Sequence, residues 1–157
     1  MNVRPYEPRD IPTIARLFTE TVRSINAADY SPDQLAAWAP DPPDMKDWRR
    51  RLREHMVFVA ELSSEIVGFA TFEPDGHLDH LYVHRLFQRR GVASALFRRV
   101  EQEAISRGVT LIFTDVSITA RPFFERAGFQ MIASQRIERR GISFTNYRMG
   151  KCLSWVK

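Results

Sequence analysis

Residues 88–94 combine the residue types that bind an anion. They follow a strand-like run that ends at Val83, and they open a long amphipathic helical pattern. No Asp or Glu lies between Asp79 and Glu101, although a helix N-terminus, with its unpaired N–H groups and positive partial charge, normally recruits an acidic or capping side chain. Arginines are frequent in the same interval: Arg85, Arg89, Arg90, Arg98 and Arg99. Bare amides beside Gly91 and these guanidinium groups predict a site for an anionic ligand, and we expect a phosphate.

The composition is that of an ordinary globular protein. Of the 157 residues, 44% are hydrophobic and 27% are charged, which predicts one domain over residues 1–157 with a core of its own. A net charge of +4 and a pI near 9.6 suit a phosphate-bearing partner without identifying it. Cys152 is the only cysteine, and we recognise neither a signal segment nor a membrane-spanning run. We expect a cytoplasmic protein with no membrane partner.

Hydrophobic periodicity and turn residues place these side chains on a framework of helices and strands. Period-two runs predict strands at residues 2–6, 57–62, 65–73, 77–83, 110–116, 129–136 and 142–149. Helical patterns predict helices at residues 10–22, 31–38, 47–55, 91–107 and 119–128. Asp10, Ser31 and Thr119 are the expected N-caps of three of them. This order predicts an α/β (α+β) fold in which a mixed sheet has helices on both faces and the phosphate turn follows an antiparallel meander.

Two motifs carry a resemblance to a known family. They are Gln88-x-x-Gly91-x-Ala93 and Ala120-x-x-Phe123-Phe124-x-x-x-Gly128-Phe129. The first resembles the Q/R-x-x-G-x-G/A pyrophosphate loop of the GNAT superfamily of acyl-CoA-dependent N-acyltransferases, and the second resembles the later helix and strand of that family. Residues 77–83 resemble its fourth strand, and the order of elements agrees from residue 2 to residue 149. The resemblance implies the GNAT fold, with a mixed, mostly antiparallel central sheet of about seven strands and helices on both faces.

The same resemblance implies acetyl-CoA as a co-substrate and no metal. The family holds the CoA pyrophosphate on a loop that opens here at Gln88, with main-chain amides that here belong to Arg89, Arg90, Gly91, Val92, Ala93 and Ser94. Its pantetheine arm lies along the fourth strand and pairs with the backbone, which here means Leu81, Tyr82 and Val83. The structural alternative is an ordinary turn glycine with solvated arginines on a helix face.

The resemblance also points to His77 and Asp79, because family members carry a catalytic base at these positions of the fourth strand. With a period of two, both residues share a face with Leu81 and Val83, so their polar side chains point to the same side. Histidine as a residue type titrates near neutral pH, which suits a base that takes a proton from an amine. The alternatives are that His77 only flanks a turn and that Asp79 only makes structural hydrogen bonds. We predict that at least one of the two is catalytic.

One departure from the family pattern concerns the leaving group. Many family members place a tyrosine near the CoA sulfur to protonate the thiolate, but the matching residue here is Phe124, which cannot donate a proton. The asparagine often found seven residues earlier is Ser117. Either the thiolate leaves unprotonated, or another group such as Tyr82 or Tyr147 serves. We interpret Phe124 itself as a core residue beside the cofactor.

We predict an N-acetyltransferase that moves an acetyl group from acetyl-CoA directly to a primary amine, on a small molecule or a peptide. A non-catalytic acyl-CoA-binding or sensing protein is the alternative, suggested by Phe124. A nucleic-acid-binding module is a third hypothesis, suggested by the pI and by arginines 49–51 and 53, but we interpret these as a solvated helix face and expect no nucleic acid. We interpret Tyr30 and Trp38 as packing residues of the acceptor region, with the alternative that one of them lines the amine site, and Cys152 as a tail residue. The sequence leaves open whether the protein forms a homodimer.

Overall fold

The computed structural model describes residues 1–153. Within them it has seven strands: β1 (Asn2–Pro5), β2 (Met56–Leu62), β3 (Glu65–Phe72), β4 (Leu78–Val83), β5 (Leu111–Val116), β6 (Gln130–Arg139) and β7 (Ile142–Cys152). The α-helices are α1 (Ile11–Ile25), α2 (Pro32–Trp38), α3 (Met45–Glu54), α4 (Val92–Ser106) and α5 (Arg121–Arg126). Each predicted strand and helix is confirmed, with ends that shift by a few residues. Cys152 is exposed but belongs to β7, so its placement in a tail after the last strand is wrong.

The strands form two antiparallel sheets rather than one mixed sheet. The first has the order β1-β2-β3-β4 and the second has the order β5-β7-β6. The two sheets meet where β4 and β5 start side by side and parallel, through a bridge between His77 and Phe113. Thr114 Oγ1 adds a hydrogen bond to the Leu78 carbonyl at 2.7 Å. In the part of the chain that the structure describes, β4 forms its ladder only with β3, and β5 only with β7. The strands β4 and β5 therefore separate after Leu78 and leave a cleft between them.

Helices cover both faces of the sheets, as predicted. One core packs α4 and α5 against both sheets and includes Leu96, Val100 and Ile112. The other packs α1 and α3 against the first sheet and α2 against α1 and β7, and it includes Ile14 and Leu52. These side chains are at most 1% exposed, so burial of the apolar helix faces holds the sheets between two helical layers. None of the helices in residues 1–153 is long and apolar enough to cross a membrane.

Strand β4 contains a β-bulge at Asp79. Thr71 of β3 pairs with His80, and the next residue of β3, Phe72, pairs with Leu78. Asp79 is therefore an extra residue in the ladder, and a bulge of this kind reverses the alternation of side chains on the strand.

The bulge changes which residues share a face of β4. Leu81 and Val83 pack with the core of α4, whereas His77 and Asp79 line a cavity on the opposite face. The prediction that all four side chains lie on one face is therefore wrong. Its physical basis was an unbroken period of two, and the extra residue at position 79 breaks that period. The part that placed His77 and Asp79 on the same side as each other is confirmed.

Two of the three predicted N-caps do not make the expected hydrogen bond. Asp10 occupies the N-cap position of α1, but its carboxylate accepts from Arg4 at 2.8 Å and from the Glu7 amide at 2.7 Å rather than from an amide of α1. The prediction at Thr119 is wrong, because its hydroxyl donates to Asp29 at 2.7 Å and Ala120 occupies the N-cap position of α5. Groups outside each helix thus compete successfully with the helix amides for these short polar side chains.

The cap at Ser31 is confirmed. Its hydroxyl accepts from the Gln34 amide at 3.2 Å, and the Gln34 side chain accepts in return from the Ser31 amide at 2.9 Å. Helix α3 begins earlier than predicted because Asp44 caps it, accepting from the Asp47 amide at 3.1 Å. These caps fix the directions in which α2 and α3 approach the cavity.

Candidate active site

A cavity of about 430 Å³ opens beside the cleft between β4 and β5. Helices α1, α2 and α3 form one side of it, and the turn between β6 and β7 forms the other. Four residues predicted from the sequence as site residues line this cavity: His77, Asp79, Tyr82 and Ser117. Its volume falls in the range that holds a small-molecule ligand.

The His77 ring is held from two directions. Its Nδ1 lies 2.6 Å from Glu73 Oε1, and its ring stacks on Phe113 with centroids 5.2 Å apart and planes 17° from parallel. Because the Glu73 carboxylate can only accept, Nδ1 carries the proton and Nε2 is the unprotonated nitrogen when the ring is neutral. A carboxylate that fixes one ring nitrogen in this way leaves the other as the basic atom, as expected of a general base.

Asp79 is surrounded by cationic and imidazole groups. Its Oδ2 lies 3.2 Å from Arg51 Nη2 and 3.4 Å from His55 Nε2. Burial alone would raise the pKa of Asp79, but the charge of the neighbouring Arg51 guanidinium opposes this effect, and that pKa is held below its usual value. A carboxylate with a lowered pKa is a weaker base. The arrangement therefore favours His77 over Asp79 as the group that takes up a proton.

His80 is a cavity residue that the sequence interpretation missed. Its Nδ1 lies 2.7 Å from Thr71 Oγ1, and its Nε2 lies 3.2 Å from Arg51 Nη2. Since arginine can only donate, Nε2 accepts and Nδ1 carries the proton. Burial lowers the pKa of His80 to about 3, so the ring is neutral at physiological pH. His80 thus positions Arg51, and Arg51 in turn holds Asp79. The alternating pattern of β4 offered no signal for this role, because it depends on α3 and on the bulge.

Acidification is expected to destabilise the fold through His80. Between pH 6.5 and about 3 the unfolded chain binds a proton at this ring and the folded chain does not, so stability falls as the pH falls, by about 1.4 kcal/mol per pH unit. His80→Gln, which can still accept from Arg51, should lose less stability between pH 6.5 and 4.5. Urea unfolding of both proteins across this range measures the difference. Asp79 does not confound it, because a lowered carboxyl pKa titrates only below this window. Parallel stability profiles would show that His80 is protonated in the folded protein.

The three groups His55, Glu73 and Asp79 also have the spacing of a metal site. One ligand atom from each lies within 4.8 Å of the others. Arg51 is already 3.2 Å from Asp79 and supplies positive charge there, and the His55 Nδ1 lies 2.6 Å from the Arg51 carbonyl. We therefore interpret the three groups as part of a hydrogen-bonded network behind His77 rather than as metal ligands.

The end of β4 presents backbone groups to the cleft. The His84 amide donates to the Val67 carbonyl at 2.8 Å, and hydrogen-bonded pairs alternate along an antiparallel ladder. The amides and carbonyls of Leu81 and Val83 consequently face away from β3, whereas those of Tyr82 face β3. The Val83 carbonyl already accepts from Thr21 Oγ1 at 3.0 Å. Of the three predicted backbone contacts, Leu81 and the Val83 amide have the suitable direction, and Tyr82 contributes its ring to the cavity.

Helix α4 begins with an open, uncapped turn. Its N-cap is Gly91, which has a φ of +79°, and no side chain caps the helix. No acidic residue lies in the first turn, and a Cβ built on Gly91 would have no heavy atom within 4 Å. Arg89 also has a positive φ, of 60°. This geometry leaves the amides of Val92, Ala93 and Ser94 directed outward beside arginines, as the anion-site hypothesis requires.

Three predicted cofactor contacts, Gln88, Phe124 and Arg90, have partners within the protein. The Gln88 side chain donates to the Val83 carbonyl at 2.7 Å and so ties the loop to the end of β4. Phe124 is 5% exposed and packs edge-on against Phe129 in the core, which confirms its interpretation as a core residue. The Arg90 guanidinium lies over the Phe87 ring at 5.1 Å.

Ser117 lies where the cleft meets the cavity. Its hydroxyl oxygen accepts from the Ala120 amide at 3.1 Å and from Asn26 Nδ2 at 3.4 Å. Because both partners donate, the hydroxyl proton of Ser117 is available to donate a hydrogen bond in turn.

Residues of the basic helix α3 and two aromatic residues of the acceptor region form ion pairs, pack in the core or line the cavity. Arg50 pairs with Asp47 at 2.6 Å, and Arg51 turns into the cavity. Tyr30 is buried, and its hydroxyl donates to the Thr145 carbonyl at 3.0 Å, which confirms it as a packing residue. Trp38 lines the cavity.

Comparison with known proteins identifies the family of this chain. The family model described as an acetyltransferase (GNAT) domain matches residues 26–151. The uncharacterized N-acetyltransferase YafP of Escherichia coli (strain K12) is 37% identical over 149 residues, which are 95% of this chain and 94% of that protein.

Solved structures give the same result. A GCN5-related N-acetyltransferase from Rhodopseudomonas palustris superposes with a TM-score of 0.93 and 33% identity, over 97% of this chain and 95% of that one. YncA of Salmonella typhimurium, solved with its cofactor acetyl-CoA, shares the fold with a TM-score of 0.68 and 19% identity, over 100% and 96% of the two chains. The fold and the relatives define an acyltransferase. The chain belongs to the GNAT family of N-acetyltransferases.

Proposed function

We propose that this chain transfers an acetyl group from acetyl-CoA directly to a primary amine bound in the cavity. The observation that carries the proposal is the cleft between β4 and β5. Its β4 side continues through residues 84–91 into the open first turn of α4, and the cavity with the Glu73–His77 pair lies on its other side. A phosphate-bearing acyl donor and an amine acceptor can therefore meet in the cleft. The acetyl-CoA in the related YncA fold supports the same co-substrate here.

The proposed binding site for the acyl donor consists of groups that can bind a pyrophosphate. Gly91 leaves open space where any other residue would place a Cβ, and the outward amides of α4 have arginines beside them. Acetyl-CoA supplies the activated thioester. The amide and carbonyl of Leu81 and the amide of Val83 offer hydrogen bonds to an extended arm along β4, as the family resemblance implies.

On the acceptor side, His77 would take the proton from the amine. The amine attacks only in its neutral form, and a ring with Nδ1 fixed by Glu73 has Nε2 as its basic atom. Asp79 would orient or attract the ammonium, since its charge is retained to a lower pH than that of an ordinary aspartate. The new C–N bond forms as the C–S bond breaks, and the electron pair leaves with sulfur.

The group nearest the leaving sulfur is proposed to be Ser117, which can donate a hydrogen bond into the region between cleft and cavity. Tyr82 is a poorer proton donor than an ordinary tyrosine, because burial raises its pKa. Tyr147 lies under the Arg121 guanidinium at 4.7 Å. A serine that stabilises a thiolate without protonating it fits the absence of a tyrosine at position 124.

Acetyl-CoA is expected to stabilise the folded protein. The amides of α4 and the nearby arginines gain an anion on binding, and a ligand at about 100 times its dissociation constant adds about 2.7 kcal/mol. A thermal-shift titration with millimolar CoA measures this effect. Pantetheine at the same concentration lacks the pyrophosphate and should give a much smaller shift. An unchanged melting temperature with CoA would contradict the proposal that acetyl-CoA is the co-substrate.

The non-catalytic alternative is not favoured, because it rested on Phe124, and that ring is a core residue in a family of acetyltransferases. Turnover of an amine with release of the CoA thiol tests it directly. A single domain over residues 1–157, a cytoplasmic location and a homodimer remain predictions.

A further inference from the structure

Two arginines, Arg139 at the end of β6 and Arg140 in the turn that follows, line the cavity, and neither has a carboxylate partner within residues 1–153. Three acids of the cavity are paired with other arginines: Asp47 with Arg50, Asp79 with Arg51, and Asp115 with Arg148. None of the ion pairs within residues 1–153 includes Arg139 or Arg140. Arg140 instead donates to the Ala37 carbonyl, which fastens the turn to α2.

Arg139 lines the cavity, although the residue as a whole is exposed. It shares the inward face of β6 with Ile137, two residues earlier, and both line the cavity. Burial raises the pKa of Tyr82, and the positive charge of the Arg139 guanidinium partly offsets that rise. The same charge lowers the pKa of the buried His80 ring. Its positive charge is therefore close to both rings.

The same cavity also contains the proposed base. His77 and Asp79 line it, and Asp115 is close enough to His77 for the two charges to interact. Asp79 and Asp115 are each paired with an arginine, Arg51 and Arg148. Other walls are aromatic and include Trp38, Trp48 and Phe144. An amine can therefore meet its proposed base in this cavity while an anionic group of the same molecule binds the Arg139 guanidinium.

From this arrangement we propose that the acceptor is a small amine that also carries an anionic group, such as a carboxylate or a phosphonate, held by Arg139. The inference deepens the proposed function and rests on it for the direction of the amine. A bidentate hydrogen bond from a guanidinium to a carboxylate supplies both attraction and orientation. The cavity volume of about 430 Å³ suits a free amino acid or a compound of similar size.

The test compares acceptors that differ only in the anionic group. Phenylalanine, leucine and methionine are each paired with their amides and with the corresponding decarboxylated amines, and CoA thiol release is followed at saturating acetyl-CoA. The carboxylates should be the preferred acceptors, although the amides carry the less basic and more readily deprotonated amine. Equal or faster turnover of the amides and decarboxylated amines would overturn the proposal.

Arg139→Gln separates recognition from chemistry. For the carboxylate acceptors we expect KM to rise about tenfold or more with kcat nearly unchanged, and for the amides we expect no change. Arg136→Gln is the matched control, because Arg136 is an exposed arginine on the same strand that does not line the cavity. If Arg139→Gln affects carboxylates and amides equally, the anion lies elsewhere.

A binding measurement keeps this inference distinct from the proposed function. Trp38 and Trp48 line the cavity, so quenching of tryptophan fluorescence reports acceptor binding without turnover. Carboxylates that bind wild type but bind Arg139→Gln about tenfold more weakly would support the anion site, even if no acetyl transfer occurs. The absence of acetyl transfer would contradict only the proposed function. No quenching by any of the three amino acids, or equal quenching of both proteins, would overturn it.

Discussion

His77→Ala is expected to lower the rate of acetyl transfer by about 10²- to 10⁴-fold while leaving acetyl-CoA affinity nearly unchanged. The ring lines the acceptor cavity, whereas the proposed CoA contacts are main-chain groups of β4 and α4. Rates measured from pH 6 to 10 with an amine that wild type turns over provide the test. The residual rate of the variant should climb with pH, because more of the amine is then neutral without help from a base.

Two further variants distinguish a base from a structural residue. Glu73→Gln keeps a hydrogen-bond acceptor near Nδ1 but removes the carboxylate charge, so it should lower kcat and shift the pH profile while His77 remains in place. Asp79→Ala should have a smaller effect than His77→Ala, because Asp79 has a lowered pKa and faces Arg51. Near-native rates with the wild-type pH profile in His77→Ala, Asp79→Ala and the double variant would exclude a base on this strand.

Gly91→Glu is expected to abolish measurable CoA binding in a protein that still folds. The substitution places a carboxylate and added bulk in the open space beside the outward amides of α4, where the pyrophosphate is proposed to bind. The left-handed backbone at Gly91, with a φ of +79°, adds a conformational cost of about 1–2 kcal/mol for any residue with a Cβ. Isothermal titration with CoA gives the affinity, and circular dichroism gives the fold and melting temperature.

Gly108→Glu is the matched control for this variant. Gly108 follows the other end of α4, has a φ of +74° and likewise has no heavy atom within 4 Å of a built Cβ. It therefore carries the same backbone strain and the same added charge far from the proposed phosphate site. CoA affinity should fall for Gly91→Glu and be retained for Gly108→Glu. Equal affinities in the two variants would move the phosphate away from this turn.

Local signals in the sequence were sufficient for the elements but not for their contacts. The acid-free interval around Gly91 predicted both the start of α4 and its open first turn, because capping and charge preferences act within one helical turn. The N-cap at Ser31 was predicted correctly for the same reason. The caps at Asp10 and Thr119 failed because Arg4 and Asp29, which lie outside the helices concerned, bind those side chains instead.

The candidate site was predicted only in part for a related reason. His77 and Asp79 were found, but His80 and Glu73 were not, since their roles depend on the bulge in β4 and on the approach of α3. A bulge shifts the register through pairing with a neighbouring strand, and no pattern along one strand encodes it. Arg139 was missed because the turn between β6 and β7 reaches the cavity from more than fifty residues away along the chain.

The turn between β6 and β7 is attached to α2 through the hydrogen bond from Arg140 to the Ala37 carbonyl. It therefore belongs to a different part of the fold from the elements proposed to bind the acyl donor. In the proposed function, donor binding draws on β4 and α4, whereas acceptor choice draws on a short loop that crosses neither element. Changes in the length or charge of this loop are therefore expected to redirect the enzyme to new amines without altering its affinity for the acyl carrier. Such a division makes residues 137–142 the natural segment to randomise in a directed-evolution library.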